Sequence, residues 1–93
     1  MELKLKFLGA LRQASGKDIL SVSCEGSSIL DLVNMLSRKS PALRRNLLDE
    51  HLEESKPNAL ILVNGREISV LAGLATKLKD GDEIVFVPVV HGG

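Results

Sequence analysis

The first two segments of the chain alternate between apolar and polar residues, which is typical of strands with one buried face. Residues 2–7 read Glu-Leu-Lys-Leu-Lys-Phe, so one side of the first strand carries Leu3, Leu5 and Phe7. A second run extends from Ile19 to Glu25, and one of its faces carries Leu20, Val22 and Cys24. We predict that these two strands form an antiparallel hairpin with a long loop.

A helix follows the hairpin. Ser28 can accept a hydrogen bond from the amide of Asp31, and Asp31 places negative charge at the positive end of the helix. Apolar residues then recur at helical spacing and form one stripe, which consists of Ile29, Leu32, Val33 and Leu36. Pro41 disfavours helical geometry at Ser40, so we predict that the helix ends there.

The next segment, residues 42–56, predicts a short second helix with an acidic, solvated face. Leucines at positions 43, 47, 48 and 52 would line its apolar side. The continuously apolar run Ala59–Val63 predicts a strand that is covered on both faces. Asn64-Gly65 is a strong hairpin signal, and we expect Arg66–Ser69 to return as a short strand.

The final strand completes the prediction of the fold. We expect residues 70–78 to form a loop with one helical turn around Leu71–Leu74, and Asp80-Gly81-Asp82 to turn the chain into a strand from Glu83 to Val87. The order is β-β-α-β-β-β with one main helix. Placing the last strand in the middle of the sheet, parallel to the first, satisfies both its edges. We therefore predict an α+β fold of the β-grasp (ubiquitin-like) class, with a domain at residues 1–87 and a flexible tail at 88–93.

One helix can cover only one face of this sheet. If Ile61, Ile84 and Phe86 point toward the helix, the outer face carries Leu62, Val85 and Val87. An apolar outer face beside the tail is a natural docking surface for a protein partner. The alternative is that the segment 42–56 covers part of this face.

Composition narrows the function classes. Twelve basic and twelve acidic residues cancel, so the chain lacks the broad positive electrostatic field expected of a DNA-binding domain. Tyr and Trp are absent, so we do not expect an aromatic surface on which the bases of single-stranded nucleic acid stack. The single cysteine excludes an internal disulfide and a multi-thiolate metal site. No apolar run is long enough to span a membrane and no leader opens the chain, so we expect a cytoplasmic protein without direct nucleic-acid or membrane contacts.

Conventional active-site chemistry is sparse. Gly9 to Gly16-Lys17 has the wrong spacing for a phosphate-binding loop, and Asp18 stands where that motif needs Ser or Thr. His51 lacks a second histidine at metal-ligand spacing and is better interpreted as a surface residue. Cys24 lacks flanking basic residues and is better interpreted as a small buried residue. We therefore expect neither a metal site nor a bound cofactor, and we expect a protein that is not itself an enzyme.

The informative segment is the end of the chain, Val87-Pro88-Val89-Val90-His91-Gly92-Gly93. With a β-grasp pattern whose last strand leads into this tail, the sequence resembles the ubiquitin-like sulfur-carrier superfamily. That superfamily includes the molybdopterin synthase small subunit, the thiamine-pathway sulfur carrier, the ubiquitin-related modifier and the archaeal small modifiers. The segments Ile61–Gly65 and Leu78–Ile84 resemble the family's third strand with its hairpin and its last turn with the final strand.

The tail does not distinguish the branches. Pro88, Val90 and the two glycines are similar to the molybdopterin synthase tail, although Val89 replaces its usual second proline. His91-Gly92-Gly93 is similar to the tail of the ubiquitin-related modifier instead.

The resemblance implies that Gly93 is the working residue. Its carboxylate would be adenylated by an ATP-dependent activating enzyme and converted to a thiocarboxylate with a sulfur donor. The sulfur would pass to molybdenum cofactor biosynthesis through a synthase large subunit, or to a tRNA-thiolation enzyme. Gly92, His91, Val90 and Pro88 would present the tail, and the glycines suit a narrow channel because they have no Cβ. Two alternatives remain open: a protein modifier joined to lysines through the same glycine, and a non-covalent β-grasp interaction module.

Overall fold

The chain folds into a mixed sheet that packs on one main helix. The computed structural model describes residues 1–9, 11–12, 16, 19–49, 56–57 and 59–88. In chain order the elements are β1 (Glu2–Phe7), β2 (Ile19–Ser23), helix α1 (Ile29–Lys39), helix α2 (Pro41–Leu47), β3 (Leu48–Asp49), β4 (Lys56–Pro57), β5 (Ala59–Val63), β6 (Arg66–Glu67), the 3₁₀ turns η1 (Ile68–Val70) and η2 (Gly73–Ala75), and β7 (Glu83–Pro88). The main sheet has the strand order β2-β1-β7-β5-β6.

The last strand lies in the centre of this sheet. β7 runs parallel to β1, with Lys4 beside Glu83 and Phe7 beside Phe86, and antiparallel to β5, with Val63 beside Ile84 and Ala59 beside Pro88. Both edges of β7 are therefore hydrogen-bonded, as a strand with the buried residues Ile84 and Phe86 requires. The predicted β-grasp architecture is confirmed, and β7 extends one residue beyond the predicted end, to Pro88.

Helix α1 begins and ends where the sequence predicts. The hydroxyl of Ser28 accepts from the amide of Asp31, and the Asp31 carboxylate accepts from the amide of Ser28, which completes a capping box. The helix ends at Lys39, after which Ser40 is extended. All four residues of the predicted apolar stripe are buried.

The segment after α1 differs in part from the prediction. A second helix is present, but it begins at Pro41, since the first position of a helix accepts a proline. Leu43 and Leu47 are buried as predicted. A two-residue antiparallel pair, β3 with β4, follows the helix and was not predicted, because strands this short show no alternation. His51, Leu52 and the acidic residues 50, 53 and 54 lie outside the described residues.

The hairpin at Asn64-Gly65 is confirmed, and its geometry explains the residue types. Both residues have positive φ, 50° and 87°. The side-chain amide nitrogen of Asn64 donates to the carboxylate of Asp82 (2.9 Å), and its side-chain oxygen accepts from the backbone amide of Glu83 (2.9 Å). These two hydrogen bonds fix the start of β7 against the hairpin.

The segment after the hairpin corrects two expectations. The returning strand β6 covers only Arg66–Glu67, and two 3₁₀ turns replace the single turn expected at residues 71–74. The carboxylate of Glu67 accepts from the amide of Ser69 and ends the strand by capping the first turn.

The core joins the two central strands to the helix. The rings of Phe7 and Phe86 stack with their centroids 5.1 Å apart and their planes 9° apart. Both rings are fully buried, and Leu11, just beyond β1, is buried with them.

Candidate functional site

The predicted site falls into a described part and an undescribed part. Gly93, Gly92, His91 and Val90 lie outside the described residues, so their roles remain predictions. The described part consists of Pro88, where β7 ends among the described residues, and the outer face of the sheet.

Pro88 is held on two sides. On one side it pairs with Ala59 of β5. On the other side it lies against Gly9, so closely that a Cβ on Gly9 would be 2.9 Å from Cγ of Pro88. The preceding residue of the loop, Leu8, donates its amide to the carbonyl of Phe86 (3.1 Å). The point from which the tail departs is thus fixed by the middle of the sheet.

The outer face of the sheet has the predicted apolar residues. Leu62, Val85 and Val87 are half-buried, while Ile61, Ile84 and Phe86 on the opposite face have no exposed surface. In the strand register Leu62 lies beside Val85, and Val87 lies beside Leu60. These residues form a continuous apolar strip that leads to Pro88.

Two leucines extend this strip and were missed from the sequence. Leu60 is 45% exposed and Leu8 is 37% exposed. Leu60 has the same strand parity as Leu62, so alternation alone could have identified it. Leu8 continues the outward side of β1, and the hydrogen bond from its amide to the carbonyl of Phe86 extends the parallel register of β1 and β7, which places it next to Val87. This pairing has no local sequence signal. We call Leu8, Leu60, Leu62, Val85 and Val87 the outer strip.

Charged residues border the outer strip. Lys6 pairs with Val85 in the register of β1 and β7, and its side chain is exposed. Lys4 lies two residues before Lys6 on β1, beside Glu83 at the start of β7. On the other side, Glu67 pairs with Leu62. An apolar centre with a charged rim is the usual composition of a protein-binding surface.

The alternative, that residues 42–56 cover this face, is not supported by their described part. Helix α2 packs chiefly against α1, on the opposite face of the sheet, and buries Leu43 and Leu47 in the core. Residues 50–55 lie outside the described residues.

Other candidates for chemistry contribute little. Cys24 is 2% exposed and borders a cleft of about 330 Å³ between the end of β2 and α1. No three His, Cys, Asp or Glu side chains come together as a metal site within the described ranges. Nor is any helix in that part of the chain long and apolar enough to cross a membrane.

One titratable group has a clear structural role. The backbone amide of Ser27, followed by the hydroxyl and the amide of Ser28, lowers the pKa of the Asp31 carboxyl by hydrogen bonding to its charged form. Asp31 therefore stabilises the start of α1 as an anion. It does not contact Pro88 or the outer strip in any described interaction.

The sequence and the fold both match known proteins. The profile of the ThiS family matches residues 5–93. Small archaeal modifier protein 3 of Haloferax volcanii is 35% identical over 94 residues and is matched along the whole of both chains. A putative sulfur carrier protein of Archaeoglobus fulgidus is 30% identical, again along the whole of both chains.

A solved structure agrees with these matches. The small archaeal modifier protein 1 of Methanosarcina acetivorans superimposes with a TM-score of 0.82 at 39% identity, covering 99% of this chain and 96% of that one. The names of these relatives include both sulfur carriers and modifiers. With its β-grasp fold, this chain belongs to the ThiS family of ubiquitin-like sulfur carriers and modifiers.

Proposed function

We propose that this protein is a sulfur carrier whose working group is the α-carboxylate of Gly93. The observation that carries the proposal is the ThiS-family match, which extends through the Gly-Gly end of the sequence. Support comes from the fold, in which the strand that precedes the tail is the central strand of the sheet. The chain then acts as a cosubstrate of other enzymes and is not itself a catalyst.

The chemistry follows from the properties of a carboxylate. An α-carboxyl group has a pKa of about 3.5, so at neutral pH it is ionised and resists nucleophiles. Attack of this carboxylate on the α-phosphorus of ATP releases pyrophosphate and forms an acyl-adenylate. Bisulfide then attacks the acyl carbon, AMP leaves, and a proton is lost as the thiocarboxylate forms. ATP is bound and consumed by the activating enzyme, and this chain requires no bound cofactor.

The contribution of the chain is presentation of its end. Residues 88–93, fully extended, reach about 20 Å. Pro88 has a fixed φ and no amide donor, which favours an extended departure from the sheet. Gly92 and Gly93 pass through a narrow channel and leave the carbonyl open to attack, while Val90 and His91 contact its walls.

The activating enzyme docks on the outer strip. The outer strip is apolar, is bordered by charged residues and leads to Pro88, from which the tail departs. One partner can therefore bind the strip and the tail at the same time. A synthase large subunit or a tRNA-thiolation enzyme would use the same strip when it accepts the sulfur. The sequence favours neither pathway, because the tail shares features with both branches.

A second function has its own support. Two of the relatives described above are named modifiers. The same activated Gly93 would then be captured by a lysine amine to form an isopeptide bond. Conjugates in cells that vanish when Gly93 is deleted would establish this role. A non-covalent interaction module would instead keep its cellular function when a residue is appended after Gly93.

Intact-mass analysis tests the sulfur-carrier proposal. The chain is incubated with an activating enzyme from the same genome, MgATP and sulfide, beside a control with one alanine appended after Gly93. We expect the unmodified chain to gain the mass difference between sulfur and oxygen, and the control to remain unchanged. An unchanged mass with an enzyme that activates another carrier would contradict the proposal.

The docking surface has its own test with a matched control. Leu60→Ala alters the outer strip, whereas Leu30→Ala removes a leucine of similar exposure (38%) from α1, which packs on the other face of the sheet. We expect the Leu60 variant to bind the activating enzyme about tenfold more weakly, which is typical of an apolar interface residue. The Leu30 variant should bind as the unmodified chain does. Equal affinities for the two variants would place the docking surface elsewhere.

A further inference from the structure

The contact between Gly9 and Pro88 joins the loop after β1 to the residue from which the tail departs. A Cβ built on Gly9 would lie 2.9 Å from Cγ of Pro88 and 3.6 Å from Cδ. Carbon atoms do not approach this closely without displacement, and a proline ring has little freedom to retreat. Only glycine therefore lets the ring occupy its present position.

The loop that carries Gly9 is itself fixed. The Leu8 amide donates to the carbonyl of Phe86, and the Arg12 amide donates to the carbonyl of Gly9 (3.1 Å). Leu11 is 1% exposed and anchors this turn in the core. Gly9 thus forms a rigid wall beside Pro88.

We propose that Gly9 is a positioning residue, which sets the direction in which the tail leaves the sheet through its contact with Pro88. This inference rests on the proposed function, because a fixed departure matters when the chain end must enter a partner's active site. The partner binds the outer strip and the tail at the same time. The angle between the tail and the sheet face that carries the strip therefore decides how often the carboxylate of Gly93 reaches the reactive position.

The backbone conformation of Gly9 offers a second explanation, and the chain contains a control for it. Gly9 has a φ of 57°, which favours glycine whatever lies nearby. Gly73 has a φ of 58°, but a Cβ there would meet nothing within 4 Å. Gly9→Ala and Gly73→Ala therefore share the backbone strain, and only the first displaces Pro88.

The experiment compares four variants of the full chain as substrates of the activating enzyme: Gly9→Ala, Gly73→Ala, Pro88→Ala and the double variant Gly9→Ala with Pro88→Ala. With MgATP and sulfide present, so that the acyl-adenylate is consumed and the enzyme turns over, the rate of pyrophosphate release is measured against chain concentration. We expect Gly9→Ala to lower kcat about tenfold while KM changes less than about twofold, because docking on the outer strip is retained. Gly73→Ala should retain both constants.

The double variant tests the contact itself. Without the proline ring, the alanine at position 9 has nothing to displace, so kcat should equal that of Pro88→Ala alone. If Gly9→Ala fails to fold, the folded fractions of the variants are compared instead of kcat. We then expect the double variant to fold, because it has no proline ring for the alanine at position 9 to displace. Equal effects of Gly9→Ala and Gly73→Ala, or a double variant more impaired than Pro88→Ala alone, would overturn the proposal.

A spectroscopic measurement separates this inference from the proposed function. In ¹H–¹⁵N spectra of the isolated chain, Gly9→Ala should shift the amide signals of Val87 and Val89, and Gly73→Ala should not. If these shifts occur but the unmodified chain is never adenylated, the contact is upheld and the proposed function fails. If adenylation occurs but these amides do not move, the positioning role of Gly9 fails.

Discussion

The stacked pair Phe7 and Phe86 provides a quantitative test of how the central strands are held. Both rings are fully buried, with centroids 5.1 Å apart, and they are the only aromatic side chains of the types Phe, Tyr and Trp in the chain. Replacing either ring by leucine removes three buried carbon atoms, at about 0.8 kcal/mol each, so each single variant should lose about 2 kcal/mol of unfolding free energy. The stacking of the two rings contributes a further coupling energy of about 0.5–1.5 kcal/mol, and either single substitution alone removes all of it.

The assay is urea unfolding of Phe7→Leu, Phe86→Leu and the double variant. A domain of this size has a total stability of about 5–14 kcal/mol, so a double variant that loses about 5 kcal/mol is measurable above the lowest part of that range. We expect it to lose less than the sum of the single variants by the coupling energy. The control combines Phe86→Leu with Ser28→Ala, at the N-cap of α1 and outside the core, and should be additive within about 0.5 kcal/mol. An additive result for the aromatic pair would refute the stacking argument.

Three further outcomes follow from the described contacts. Gly26→Ala should cost about 1–3 kcal/mol in urea unfolding, because its Cβ would lie 2.2 Å from Cβ of Asp31. Ser28→Ala should cost about 1 kcal/mol as a lost N-cap, and a cost near zero would show that the capping box is not formed in solution. Since the folded state lowers the pKa of Asp31, its stabilising effect is complete above the pKa of the unfolded chain, about 3.9, and is lost as the pH falls through the folded value. NMR titration of Asp31 checks this, and a midpoint at or above the unfolded value would contradict it.

Much of the fold could be predicted because its signals are local. Alternation in β1, the capping residues Ser28 and Asp31, and the Asn64-Gly65 hairpin each act within a few residues. The central place of β7 followed from the need of an apolar strand to satisfy both edges. The β3–β4 pair was missed because two residues cannot show a period.

The site was harder to predict from the sequence than the fold, because several of its contacts join residues that are far apart in the chain. The outward side of β5 and β7 follows from alternation, and this correctly identified Leu62, Val85 and Val87 as outward-facing. The contact of Gly9 with Pro88, and the place of Leu8 beside Val87, depend on the parallel pairing of strands from opposite ends of the chain. No local pattern encodes such a contact, and a glycine in a loop reads as a turn residue until the fold is known.

The central claim is that the working group is the carboxylate at the end of the chain. Fragmentation mass spectrometry of the protein purified from its own cells tests it most directly. We expect the mature chain to end at Gly93, with a fraction of molecules in which sulfur replaces one oxygen of that residue and of no other. A mature protein that carries further residues after Gly93, or sulfur located elsewhere in the chain, would contradict the account.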